Sequence, residues 1–294
     1  MKRSAISILI STLIALPGSG AWAAQAITTC GQETIGGVLT GDLDCSGVDV
    51  GVTVLPGGSL DLAGHALVMG QVAGVVCLGS CVIDGNVAIT KGQASANEDR
   101  GTMLGSALDG IVALSNTSSL DVANIHMQGT TSTGISAHRA TLRNCTIGYT
   151  ADVGISVTGR LTLTDSTVAG HDVGVVAGKR VSMVTSSITG AGHGILTPGR
   201  VSLADHSTVQ GHDIVGIRAR AVRATDSQIN SSGEYLYVEQ DHCLLYPEEC
   251  GDIFTVRKPK LSGTTCDKSS RVKSSQGGQV WELTGQSWET CSQD

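Results

Sequence analysis

The sequence predicts an all-β solenoid, a chain wound into short coils whose strands stack in parallel along one axis. Three observations predict it. One phrase recurs five times within residues 133–229: TGISAHRATLRNCTI, VGISVTGRLTLTDSTV, VGVVAGKRVSMVTSSI, HGILTPGRVSLADHSTV and VGIRARAVRATDSQI. Its marker glycines, Gly134, Gly154, Gly174, Gly194 and Gly216, stand 20, 20, 20 and 22 residues apart, a period that belongs to stacked units. Within a unit, apolar residues such as Ile155, Val157, Leu161, Leu163 and Val168 keep the two-residue period of strands. The unit is too short for the roughly 40–45 residues of a propeller blade. It fits one turn whose strands pair with their counterparts about 4.8 Å above and below.

Stacking turns equivalent positions into columns. One inward column holds Ile111, Ile135, Ile155, Val175, Ile195 and Ile217, and a second Met127, Ile147, Val168, Ile188, Val209 and Ile229. A third is small: Cys145, Ser166, Ser186, Ser207 and Ser227. Just before it come Asn124, Asn144, Asp165, Thr185, Asp205 and Asp226. Asn and Asp tolerate left-handed backbone and bond their own main chain, so this column marks a turn.

This pattern, over residues 30–238, resembles the right-handed parallel β-helix proteins of the pectate-lyase-like superfamily. The resemblance implies a right-handed winding. It implies little about activity, because that superfamily includes lyases, hydrolases, epimerases and non-catalytic proteins.

Taken in order, residues 1–23 read as a secretory signal: Lys2 and Arg3, an apolar run over 6–16, and Ala21-Trp22-Ala23 before the cut. The apolar run is too short to span a bilayer. Secretion or a periplasmic location is expected. Cys30 follows Ile27-Thr28-Thr29, a near miss for a lipoprotein box. The stretches CGQETIGGVLTGDLDCSG and LDLAGH look like first coils of bacterial β-helix proteins, where a Cys pair ties down the first turn; here that is Cys30 and Cys45. Cys77/Cys81, Cys243/Cys250 and Cys266/Cys291 are also close in sequence, and an exported chain meets oxidising conditions. Zinc is the alternative for Cys77-x3-Cys81 and Cys243-x6-Cys250, which lack clear His partners. Cys145 lies in the inward column and reads as a small buried hydrophobe with a free thiol.

Residues 92–105 break the rhythm and read as a loop carrying Glu98, Asp99 and Arg100. The β-helix is expected over 24–238. Residues 239–294 read as a disulfide-tied cap, with Tyr246, Phe254, Trp281 and Trp288, covering the open end of the stack. Without Lys2 and Arg3, 17 basic residues face 26 acidic ones, a net of −9, which argues against nucleic acid as a partner. No cofactor or metal motif is present, and a monomer is expected.

The most unusual feature is a basic column. Arg139, Arg160, Arg180 and Arg200 each precede the turn column by five residues, and Arg220 lies one place earlier in its coil. Rung spacing sets such guanidiniums about 5 Å apart, where neighbours repel by about 1 kcal/mol even in water. Two things offset that: local carboxylates (Asp152, Asp172 or Asp213), or an anionic ligand along the axis, for which Arg provides planar bidentate contacts.

Gly192-His193-Gly194 resembles the Gly-His-Gly of polygalacturonases, though the serine-rich stretch of that family does not follow. Asp205 and Asp226, one rung apart, approach the separation of a retaining carboxylate pair, yet both occupy the turn column. His171 and His212 sit in similar Gly-His-Asp turns, which favours a structural role for His193. The calcium-binding acidic cluster of the lyases and the Asp-Pro-His motif of alginate epimerases are missing. The residues favour a binding protein for an anionic polysaccharide, without turnover. The alternatives are a lyase or hydrolase with a diverged site, or a purely structural β-helix.

Overall fold

Each turn of the computed structural model lays down three short strands, as in Val153–Val157, Arg160–Thr164 and Thr167–Gly170. The structure describes residues 24–85, 100–150, 152–211 and 215–231, with short strands further on between 260 and 290. Each strand pairs in parallel with its equivalent one turn away. The result is a parallel β-solenoid of about eight turns without helix among the described residues. Its strands line three faces. The first two belong to one 16-stranded sheet, joined by strands that bend from one face to the other, such as His193–Ala204. The third is a separate sheet of 11 strands.

The inward columns are where the sequence places them. Ile111, Ile135, Ile155, Val175, Ile195 and Ile217 are buried on the first face, and Met127, Ile147, Val168, Ile188 and Val209 on the third. Ile229 is partly buried against them. Each such side chain contributes roughly 1.5–3 kcal/mol by leaving water, so the stack is held by apolar burial along its length.

The repeat glycines have a steric reason. A Cβ on Gly154 would stand 2.6 Å from the Gly174 carbonyl oxygen and 2.6 Å from Val168 Cγ1. Gly134 meets the Gly154 oxygen and Ile147 in the same way. Any side chain here would push successive turns apart.

The corner between the second and third faces is the turn column. Asn124, Asn144, Asp165, Thr185, Asp205 and Asp226 all have φ between 46° and 56°. A left-handed residue turns the strand but leaves the amide after it without a ladder partner. The serine column supplies the partner. Cys145 N donates to Ser166 Oγ (3.1 Å), Ser166 N to Ser186 Oγ (3.2 Å) and Ser186 N to Ser207 Oγ (3.3 Å). Ser166 and Ser186 hydroxyls donate in turn to the carbonyls of Thr164 and Val184. The column is therefore small and also a hydrogen-bonded spine, satisfying main-chain groups that burial would otherwise penalise.

Disulfides join Cys30 to Cys45 and Cys77 to Cys81, and Cys145 is free and buried. Cys243, Cys250 and Cys291 lie outside the described residues, as do the side chain of Cys266, the signal segment 1–23 and residues 86–99. The expected loop over 92–105 needs correction at its end. Gly101–Leu104 is a strand of the third face, paired with Ala66–Val68 on one side and Ile125–Gln128 on the other, with Met103 fully buried. At the far end the stacking continues beyond 231: Lys260–Ser262 and Thr265–Cys266 add parallel strands, and Glu289–Thr290 then pairs antiparallel to Thr265–Cys266.

Candidate functional site

The second face carries the arginines. Alternation along its strands buries Leu161, Val181 and Val201, so the residues beside them point outward. Arg160 pairs with Arg180 and Arg180 with Arg200 in strict register. Arg139 directly precedes the pair Ala140–Leu161, which puts it on the rung below Arg160. All four are exposed. Parallel pairing spaces them about 4.8 Å apart along the axis.

Two residues further along each strand runs a second outward column, Thr141, Thr162, Ser182 and Ser202, again in register. The face is thus a lattice of guanidiniums beside hydroxyls. It has two ends. Below Arg139 stands Ser119, and below Thr141 stands Asp121, whose carboxylate is paired with Arg143 at 2.9 Å. Above Arg200 stands Ala221, and Arg223 pairs with Ser202, one column over. The register shifts between Thr197 and Arg200, which leaves Arg220 one place early in its strand.

Among the described residues no ion pair or side-chain hydrogen bond involves Arg139, Arg160, Arg180 or Arg200; the ion pairs found are Arg143–Asp121, His65–Asp42 and His171–Asp172. Asp152 and Asp172 lie at the corner between the third and first faces, away from the column, and Asp172 faces His171. Asp213 is outside the described residues.

His193, Asp205 and Asp226 are not brought together. His193 opens a first-face strand opposite Val173 and Val215. Asp205 and Asp226 sit exposed at the left-handed corner, one rung apart. The third-face strand Thr208–Gly211 lies between the two corners. His193 also differs from His171, whose stacking partner is Ala191, two positions earlier. It is a strand residue and not a Gly-His-Asp turn residue. Burial, with Arg218 adding to it, holds its imidazole below the usual range.

Cys145 is no nucleophile at neutral pH. Burial pushes its thiol up to about 11, and the thiol donates to the Arg143 carbonyl at 3.2 Å.

One group of residues was not anticipated. Gly101 N donates to Gly85 O at 2.7 Å, so these two residues meet at one point of the corner. The Arg100 guanidinium donates to Asn144 Oδ1 and to Thr146 Oγ1. Asn144 then donates to Asn124 (2.8 Å) and Asn124 to Asp84 (3.0 Å). A chain of side-chain amides thus connects Arg100 and Asp84 along this corner. The signal was present in the two asparagines, which share the turn column with aspartates but can donate as well as accept.

Among the described residues no group of three or more His, Cys, Asp and Glu side chains is placed to hold a metal, and no helix is long and apolar enough to cross a membrane. Comparison of the chain with protein families, curated proteins and solved structures finds no match.

Proposed function

We propose that this chain binds an anionic polysaccharide lying along the solenoid axis on the second face, without turnover, at the cell envelope or outside the cell. One observation carries the reading: four exposed arginines stand in register, flanked by hydroxyls and without a carboxylate partner among the described residues. A stack of like charges is unfavourable unless something anionic completes it. Guanidinium suits carboxylate and sulfate through paired N–H donors, and hydroxyls suit the sugar between them. Export is supported by the pattern of residues 1–23 and by two disulfides, which persist in oxidising compartments. The resemblance to pectate-lyase-like β-helix proteins adds polysaccharide as the polymer class. Turnover would have to draw on His193, Asp205 and Asp226, which stand at different corners.

The test is titration with polygalacturonate and alginate at low and moderate salt. The wild type is expected to bind, more weakly as salt rises. Replacing Arg160, Arg180 and Arg200 together by Gln should weaken binding far more than any single replacement, because the contacts share one ligand. It should also flatten the salt dependence and leave the fold intact. Equal binding by wild type and triple variant, or none by either, removes the proposal. Release of product from either polymer would replace it with an enzymatic one.

A further inference from the structure

We infer that the arginine lattice selects polymers carrying an anion on every residue, and that it holds four such residues. The inference rests on the binding reading above and adds the spacing and length of the ligand. The spacing comes from the register. Arg139, Arg160, Arg180 and Arg200 occupy consecutive rungs without a gap, about 4.8 Å apart. An extended glycan advances by about one pyranose over that distance, so one charged sugar meets one guanidinium. A polymer charged only on alternate residues would meet every second arginine. The arginines between would keep their mutual repulsion.

The length comes from the ends. Below the lattice the outward positions change to Ser119 and to Asp121, a carboxylate that would repel a further anion. Above it Ala221 takes the arginine position, and the shifted register breaks the line of the column. The hydroxyl column runs beside the same four rungs, from Thr141 to Thr162, Ser182 and Ser202; on the next rung Arg223 takes the place of the hydroxyl, off the line of the arginine column. Asp121 is itself held by Arg143, which keeps it off Arg139.

The experiment uses oligogalacturonates of two to eight residues and hyaluronate oligosaccharides matched in number of carboxylates. Affinity should rise about two- to five-fold per added galacturonate up to four residues, as for exposed ion pairs. Beyond four it should change little, gaining only alternative registers. Hyaluronate of equal charge should bind several-fold more weakly. Two variants move the break in opposite directions. Ser119→Arg extends the ladder by one rung from an exposed position and should shift the break to five. Arg200→Gln shortens it and should shift the break to three. A steady rise through eight residues, a break that stays at four in both variants, or equal affinity for hyaluronate overturns this inference and leaves polyanion binding standing. Failure of every polyuronate to bind overturns the binding reading itself, and this inference with it.

Discussion

The turns over residues 24–114 and the repeat turns over 133–231 share one winding and are held in different ways. The repeat turns have continuous inward columns, glycines that let carbonyls approach and a serine spine at the corner, although the register shifts between Ile147 and Thr150 and between Thr197 and Arg200. The early turns have a register shift between Thr34 and Gly36 and two disulfides. Their outer surface differs too. Among the described residues the large apolar side chains most open to solvent are Ile35, Val48, Val72, Leu78, Val82, Leu104, Leu108 and Leu114, all in the early turns. The lesson is that regular stacking supplies its own cross-turn bonds, whereas irregular turns depend on covalent links. A repeat protein's stability is close to a sum of unit and neighbour terms, so the two regions should fail separately.

The largest expected effect is inside the repeat. Ile195 is fully buried between Val175 and Ile217. Ile195→Asp places an unpaired carboxylate there and should cost more than about 4 kcal/mol. Amide hydrogen exchange should show protection lost over the repeat turns first. A melting temperature equal to wild type would contradict the column assignment.

A smaller effect is expected from the first staple. Cys30 and Cys45 close a loop with a sequence separation of 15. Removing the bond by the double change to Ala should cost about 3 kcal/mol. The loss should appear in turns before residue 114, with the repeat turns still protected and Cys145 still unreactive to thiol reagents at neutral pH. Protection lost evenly along the whole chain would mean a single cooperative unit and would dissolve the contrast between the regions.

How far the sequence could be read follows the same division. In the repeat, the inward columns, the left-handed corner and the arginine register were all legible, because periodicity aligns one turn against the next. Even the early arrival of Arg220 was visible, since it precedes Asp226 by six residues and not five. The reason for the glycines was not, because the colliding atom is a carbonyl of another turn. The serine spine was seen as small and missed as bonding, since its partners are main-chain amides. The Gly101–Leu104 strand was missed because three residues between glycines show too little alternation, and only its neighbours on both sides identify it. His193 stands opposite Val173, as the repeat alignment places it; what fails is its likeness to His171, because a Gly-His pair recurs in sequence without recurring in register.

The smallest expected effect sharpens the account of the corner. Of the six left-handed residues in the turn column, Thr185 is the one that is β-branched, with φ of 49°. Branching at Cβ crowds the left-handed conformation, whereas Asn adopts it readily. Thr185 is also exposed, so no packing is lost on replacing it. Thr185→Asn should therefore stabilise the protein by about 0.5–1 kcal/mol, a rise of a few degrees in melting temperature at most. The reverse change elsewhere, Asn144→Thr, should destabilise it by about 1–3 kcal/mol. It adds the same strain and also breaks the amide chain from Arg100 to Asn124. The pair of variants separates two explanations of why amides and carboxylates occupy this corner. If backbone strain is the main term, the two changes have similar size and opposite sign. If the side-chain ladder is the main term, Asn144→Thr is costly and Thr185→Asn is nearly silent. A fall in melting temperature for Thr185→Asn would exclude both, and would mean that the threonine makes a contact at this corner worth more than the strain it bears.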